Sequence, residues 1–411
     1  MYPQNETAVI VGAGHAGAEL VATLRQNGYP GRIILIGDEP ELPYRRPPLS
    51  KTYLSGEASR ESLLIRSAAA YDKLQVACWT GVQVCAIDRE QRTVTLSDGR
   101  TQAYDKLVLA TGGRPRRLEE PAAQKPNVHY IRNLADIERL QPDFVAGKRL
   151  LVIGGGYIGL EAASVGIKNG LQVTVLEAAP RVLARVAAPE ISAFYEGVHR
   201  RRGVDVRTET SVQVFQGAER VESVQLSDGS ELPVDLVIVG IGILPNDQLA
   251  RDAGLEIDNG IVVDSYAQTL DPDILAVGDC ARHVNGFLGC LIRIESVPSA
   301  QEQARTAAHT ICGKNLPHIA VPWFWSDQFD LKLQIVGLSQ GYDQLVLRGD
   351  MAAESFCAFY LRKGVVLSVD AVNRPQDFMV GKRLVAERVQ VDPQVLADES
   401  IDLKSLLAAA L

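Results

Sequence analysis

The chain has 411 residues, 46% of them hydrophobic and 22% charged, and a formal net charge of −8. Such a length suggests two or three domains of ordinary globular composition. The acidic balance argues against nucleic acid as a partner, and no apolar run nears the about 18 residues that span a bilayer, so no membrane segment is expected. Met1–Thr7 is polar and lacks the basic and apolar regions of a signal peptide, so a cytoplasmic protein is expected. The six cysteines (Cys78, Cys85, Cys280, Cys290, Cys312 and Cys357) contain no C-x-x-C and no zinc spacing, so neither a redox dithiol nor a metal site is expected.

Ala8–Val11 is a short apolar run rich in β-branched residues and reads as a buried parallel strand. Gly12, Gly14 and Gly17 follow as G-x-G-x-x-G, ahead of an amphipathic helix over Ala18–Gln26. This is the dinucleotide fingerprint: Gly12 for the turn, Gly14 for close approach of a pyrophosphate, Gly17 for helix packing, and the helix N-terminus for the phosphates. The next strand, Arg32–Ile36, leads to Asp38, about 20 residues on, where an acid accepts from a ribose hydroxyl.

Leu42–Leu54 carries Pro47-Pro48 and the cations Arg45, Arg46 and Lys51. It is a stiff loop entering a helix near Leu49, and it reads equally as a connection with solvated charges. Strands are expected over Gln75–Ile87 and Thr93–Leu96, with a turn at Asp98-Gly99. The buried strand Leu107–Ala110 then ends at Thr111-Gly112-Gly113, where the chain leaves its first domain.

The opening design repeats over 148–176. Strand Leu150–Ile153 precedes Gly154, Gly156 and Gly159, then helix Leu160–Asn169 closed by Gly170, then strand Gln172–Leu176 ending in Glu177. Two complete fingerprints imply two dinucleotides held by two domains. The Glu177 carboxylate favours a free 2′-OH over a phosphate, hence NADH over NADPH, with Arg181 and Arg185 acting in the opposite sense. Val234–Gly242 closes the second domain, Gly242 leaves room for the nicotinamide end, and Asn246 onward returns to the first. Ile274–Arg282 is another buried strand whose Asp279 reads as a turn residue or as an acceptor for a ribitol hydroxyl. Ser296-Val297-Pro298 opens a helix over Ser299–Cys312. Trp323 and Trp325 begin a third domain of strands from Leu331 to Ala371, followed by a polar tail ending in a helix over Ile401–Leu411. The tryptophans read equally as core or as a functional surface.

Together these motifs resemble the FAD-containing, NADH-dependent ferredoxin reductases of the putidaredoxin reductase group. The marks are Pro47–Lys51, Leu109–Pro115, Gly154–Glu161, Ala276–Asp279, Ile294–Pro298 and Trp323–Gln328. The resemblance implies a glutathione-reductase type of α/β fold. Its two Rossmann-like domains would be residues 1–113 with 246–322 for FAD and 114–245 for NAD, followed by a C-terminal α+β domain over 323–411.

Position by position, the resemblance assigns Gly12, Gly14, Ala16, Gly17, Asp38, Thr111 and Gly112 to FAD, with Val84 and Arg132 at its adenine half. It sets Asp279 at the ribitol and the Val297 main-chain N–H at the flavin pyrimidine edge. Pro48 would lie against the isoalloxazine ring and Lys51 beside its reactive centre, while Arg46 reaches the FAD phosphates or stays at the surface. Gly154, Gly156, Ile158, Gly159, Glu177 and Gly242 would hold NADH, with Tyr157 over the flavin face, Glu161 near the carboxamide and Trp325 facing the partner.

The implied activity is hydride transfer from NADH to FAD and release of single electrons to a 2Fe–2S ferredoxin that serves a haem-thiolate monooxygenase. Lys51 and the helix after Val297 would favour the anionic reduced flavin. An acidic ferredoxin needs a local basic patch on an acidic protein, for which Arg66, Arg305 and Lys332 are the candidates. A monomer is expected. The rival readings are an NADH oxidase or quinone reductase, and an FAD-binding signalling protein of the apoptosis-inducing-factor kind.

Overall fold

A computed structural model describes residues 6–119 and 121–408. The chain divides into two units. Met1–Arg45, Glu61–Arg114 and Leu244–Phe324 make the first, and Arg46–Arg60, Pro115–Ile243 and Trp325–Leu411 make the second.

Five short parallel strands form the centre of the first unit, in the order Ile274–Ala276, Lys106–Leu109, Thr7–Val11, Arg32–Ile36, Val76–Trp79. Side chains alternate across a strand, and both faces are covered. Ala8, Ile10, Ile33 and Leu35 therefore enter one core, with Leu20 and Leu24 of helix His15–Gln26 and Ala304, Ala307 and Ala308 of helix Val297–Ile311. Val9, Val11, Ile34 and Ile36 enter the other, with Val94 and Leu96 of a three-stranded antiparallel sheet.

Helix His15–Gln26 begins three residues before the expected start, because Gly14 is its extended N-cap. The long helix likewise opens at Val297, behind Ser296, whose side chain accepts from Ser299 N. The strand expected over Gln75–Ile87 is two strands: Val76–Trp79 joins the parallel sheet, and Val84–Asp88 starts the antiparallel one after Gly81 turns at φ +69°. Ile274–Arg282 breaks in the same way. Its strand stops at Ala276, and Gly278–Cys280 is a 3-10 turn with Gly278 at φ +80°.

The second unit repeats the parallel design in the order Asp205–Arg207, Gln172–Leu176, Arg149–Ile153, Leu236–Val239, Val128–His129. It also holds an antiparallel five-stranded sheet, Trp323–Gln328, Leu331–Gly337, Val365–Val372, Ser355–Arg362, Gln344–Asp350. The tail is not simply polar. Pro375–Ala386 is a helix whose Phe378, Leu384 and Val385 are buried. Beyond it, Arg348 donates to the carbonyls of Leu396, Asp398 and Ile401 and holds the chain down. Of the helix expected over Ile401–Leu411, the described residues show Ser405–Ala408, with Asp402 capping the turn before it, and Ala409–Leu411 lie outside the described residues. At Pro47-Pro48 the expected helix is a single 3-10 turn, Pro47–Ser50. Among the described residues no helix is long and apolar enough to cross a membrane.

Candidate functional site

Each glycine loop is shaped by contacts that only hydrogen permits. Gly12 sits at φ +118°, where a Cβ would lie 2.1 Å from the Ala110 carbonyl oxygen, and a Cβ on Gly17 would lie 2.2 Å from the Gly12 carbonyl oxygen. Gly154, at φ +110°, and Gly159 stand in the same relation to Gly240 and Gly154, at 2.4 and 2.1 Å. Chain trace and helix are thus pinned against the strand ends. Gly14 and Gly156 differ: nothing lies within 4 Å of a Cβ built on either. Their open side faces away from the packed strand, at the start of a helix whose first amides have no intrahelical acceptor. That is the cradle a pyrophosphate needs, and the chain presents it twice.

In the first unit, Ala16 is buried beside Gly278, whose N–H donates to Gln303 Oε1 at 2.9 Å. Thr111 is committed by its hydroxyl to the Asn246 carbonyl at 2.6 Å, and Asn246 answers at 2.9 Å, which ties the returning chain to the turn at Gly112. Val84 is buried and paired opposite Leu96. Asp279 lies in the 3-10 turn, and Val297 is the first residue of its helix. Asp38 is exposed.

In the second unit, Glu177 accepts from Gly155 N and Ala179 N, both at 2.8 Å, which fixes the carboxylate beside the glycine loop. Ile158, the second residue of the helix, is 43% exposed, an apolar side chain left open beside the cradle. Gly242 turns at φ +108°. Arg181 folds back onto its own loop, donating to Ala187 O at 2.7 Å, Ala184 O at 3.0 Å and Ser192 Oγ at 2.5 Å. It is therefore engaged locally. Arg46 and Arg132 meet directly, Arg46 Nη1 donating to the Arg132 carbonyl at 2.8 Å.

The second unit also brings Lys51 and Glu161 together. Glu161 is 1% exposed, and its Oε2 accepts from Lys51 Nζ at 2.7 Å and Ser50 Oγ at 2.5 Å. Ser326 Oγ donates to Oε1 at 2.7 Å. Pro48 is half-buried in the turn that carries Lys51. Tyr157 opens the helix of Glu161; burial first, then the charge of Asp370, pushes its phenol up. Burial drives the Asp370 carboxyl up to about 7, although Tyr360 OH donates to it at 2.6 Å. Trp325 is half-buried on the strand of Ser326.

Ser50 and Ser326 are the partners of Glu161 to which motif reading assigns no role. A signal existed for Ser326: with Gln328 it supplies two polar residues at alternate, inward-facing strand positions, where apolar ones are the rule. The three candidates for a basic patch differ in their surroundings. Arg305 is ion-paired with Glu19 at 2.8 Å and Glu302 at 2.6 Å, whereas Arg66 donates to the Ala18 carbonyl at 2.8 Å, which orients its guanidinium without neutralising it. Lys332 is exposed in the second unit. All six cysteines are free thiols.

Residues 6–304 match the family described as pyridine nucleotide-disulphide oxidoreductase, and residues 323–407 match the reductase C-terminal family. The chain belongs to the pyridine nucleotide-disulphide oxidoreductases. The chain is 49% identical to putidaredoxin reductase of Pseudomonas putida over 99% of its length and 98% of that protein's. Identity to a ferredoxin–NAD(P)+ reductase of Sphingomonas sp is 47%, over 97% of both. Among solved structures it matches the covalent putidaredoxin reductase–putidaredoxin complex with a TM-score of 0.96 at 50% identity, over 99% of both chains. A ferredoxin reductase for the CYP199A2 system from Rhodopseudomonas palustris gives 0.95 at 43%, over 99% of this chain and 100% of that one. The protein is thus an FAD-dependent oxidoreductase of this family that uses a pyridine nucleotide. The open glycines, the exposed Ile158 and the anchored Glu177 fit both coenzymes.

Proposed function

We propose that this oxidoreductase is an NADH-dependent ferredoxin reductase passing electrons to a 2Fe–2S ferredoxin of a haem-thiolate monooxygenase system. The observation that carries the reading is a pair of phosphate cradles in a chain without a C-x-x-C dithiol. Full-length likeness to proteins named as ferredoxin reductases supports it. Bound FAD supplies the chemistry, accepting two electrons from the nicotinamide and returning them one at a time.

The chain's own residues bind and orient. In this reading the amides after Gly14, with Ala16, Gly17, Asp38, Thr111 and Gly112, hold the FAD pyrophosphate and adenosine, Arg46 reaches the phosphates, and Val84 and Arg132 hold the adenine half. Asp279 accepts from a ribitol hydroxyl, and the Val297 N–H donates at the pyrimidine edge, where the helix dipole favours negative charge. Gly156, Ile158 and Glu177 grip NADH, and the carboxylate of Glu177 repels a 2′-phosphate. Lys51 supplies positive charge beside the ring, Pro48 and Tyr157 pack against it, Glu161 holds the ammonium, and Trp325 faces the ferredoxin. A monomer in the cytoplasm completes the reading.

The test is direct. Purified protein is expected to be yellow, to bleach when given NADH without oxygen, and to turn over rapidly only once a 2Fe–2S ferredoxin is added. Equally rapid NADH consumption with oxygen alone would instead make it an oxidase.

A further inference from the structure

Glu161 is anchored from two separate pieces of chain, and the second has no assigned role. Its Oε2 is shared by Ser50 and Lys51 of the proline turn. Its Oε1 accepts from Ser326, a fully buried residue of the strand Trp323–Gln328. Behind Ser326 the bonds continue. Gln328 Nε2 lies 3.2 Å from Ser326 Oγ, and Gln328 Oε1 lies 2.9 Å from His199 Nε2. Ser326, Gln328 and His199 are 0–1% exposed.

The direction of this chain follows from donor counting. A carboxylate oxygen can only accept, so the single Ser326 proton goes to Glu161. Ser326 Oγ must then accept from the Gln328 amide nitrogen. The amide oxygen is left facing His199, whose Nε2 must carry the proton. His199 Nδ1 is then bare, and among the described residues it has no hydrogen-bond partner. Burial keeps the imidazole neutral by pushing it down to about 4. Every bond therefore points one way, from His199 through Gln328 and Ser326 to Glu161, with no rotor left free to reverse it.

We propose that Ser326 is a positioning residue for the Lys51–Glu161 pair: backed by Gln328 and His199, it sets which way the Glu161 carboxylate faces and so where the Lys51 ammonium is held. The inference rests on the reading of Lys51 as a flavin-facing residue given above. Ser326 is the donor to Oε1, while the loop donors both use Oε2, so its loss frees the carboxylate to rotate. Transfer rates are sensitive to displacements of about 1 Å, whereas NADH is gripped through its nucleotide half elsewhere, at Gly156 and Glu177.

The experiment uses the FAD-loaded protein and four variants. Ser326→Ala is expected to lower the rate constant for flavin reduction by NADH about tenfold with KM within about twofold, the split expected when an interaction made only in the transition state is lost. It should also move the reduction potential of bound FAD. Ser326→Thr, which keeps the hydroxyl, should restore both. If Ser326→Ala does not retain FAD, Ser326→Cys, close in volume and a weak donor, should show the same changes. Lys51→Met is the control for the underlying reading. If it moves the potential and Ser326→Ala leaves rate and potential unchanged, the positioning role is overturned while the reading stands. If Lys51→Met leaves the potential unmoved, the reading itself fails and takes the inference with it. Equal losses in the Ala and Thr variants would also overturn the proposal, since the hydroxyl would then not be the cause.

Discussion

Removing Lys51 should cost the second unit far more than a surface ion pair would. The ammonium lies 2.7 Å from a carboxylate that is 1% exposed, and its own side chain is 15% exposed. At that separation and an effective dielectric of about 20, the attraction is about 6 kcal/mol before desolvation. Desolvation of both ions offsets most of it, so replacing the pair together by neutral groups should be nearly neutral. Taking away one partner is different, because the remaining buried charge keeps its desolvation cost. Lys51→Met is therefore expected to destabilise by about 3–5 kcal/mol. Some relief comes from the two hydroxyls of Ser50 and Ser326 that still donate to Glu161. The double variant Lys51→Met/Glu161→Gln should recover most of the loss, since it leaves no ion behind. The assay is urea unfolding of the FAD-loaded protein, followed by tryptophan fluorescence and compared across the two single variants, the double variant and the parent. A loss below about 1 kcal/mol for Lys51→Met, the range of exposed pairs, or a double variant no better than the single, would refute the argument.

The two kinds of glycine should separate cleanly. Gly156→Ala is expected to fold normally but to weaken NADH binding at least about tenfold with FAD content unchanged. A Cβ there meets nothing of the protein and points into the cradle. Gly154→Ala should fail to fold or lose several kcal/mol, because its Cβ would lie 2.4 Å from the Gly240 carbonyl oxygen. Replacement of Glu177 by Arg should raise the NADPH-to-NADH ratio of kcat/KM by at least about tenfold, with steady-state kinetics as the measure; Arg181, bound into its own loop, does not already serve that purpose. For Asp370 the sign is opposite to that of an ion-paired carboxylate. Its folded value, raised to about 7, lies above the ordinary one, so the native state prefers the proton and the destabilising charge develops as pH rises from about 4 to 7. Asp370→Asn should therefore stabilise the protein by up to about 4 kcal/mol at pH 8 and hardly at all at pH 4, which melting curves across that range will show.

The three-domain α/β character is legible because its signals are local. A run such as Ala8–Val11 is apolar on both faces, and the pattern strand, glycines, helix, strand, acid occupies about 30 consecutive residues in each copy. The positive φ at Gly12 and Gly154 calls for glycine on local sterics, and the close approach of Ala110 and Gly240 adds to it. The helix Pro375–Ala386 falls in the stretch expected to be a polar tail, although a local signal for it was present. Pro375 stands at its first position, and the buried Phe378, Gly381 and Val385 recur at i, i+3 and i+7, although the polar residues around them obscure the period. A proline pair does not distinguish a helix from one 3-10 turn, since both start with the same φ.

By itself the sequence determined the strand–glycine–helix units, their duplication, the acid that follows each and the absence of a C-x-x-C pair, because each is a property of residues close together in the chain. Only the tertiary structure decided which side chain answers which charge. Glu161 and Ser326 are 165 positions apart and Lys51 and Glu161 are 110 apart. Arg305 loses its free charge to Glu19, 286 positions away. Such pairings arise when packing brings distant helices, turns and strands together, and burial then obliges most polar groups to find a partner.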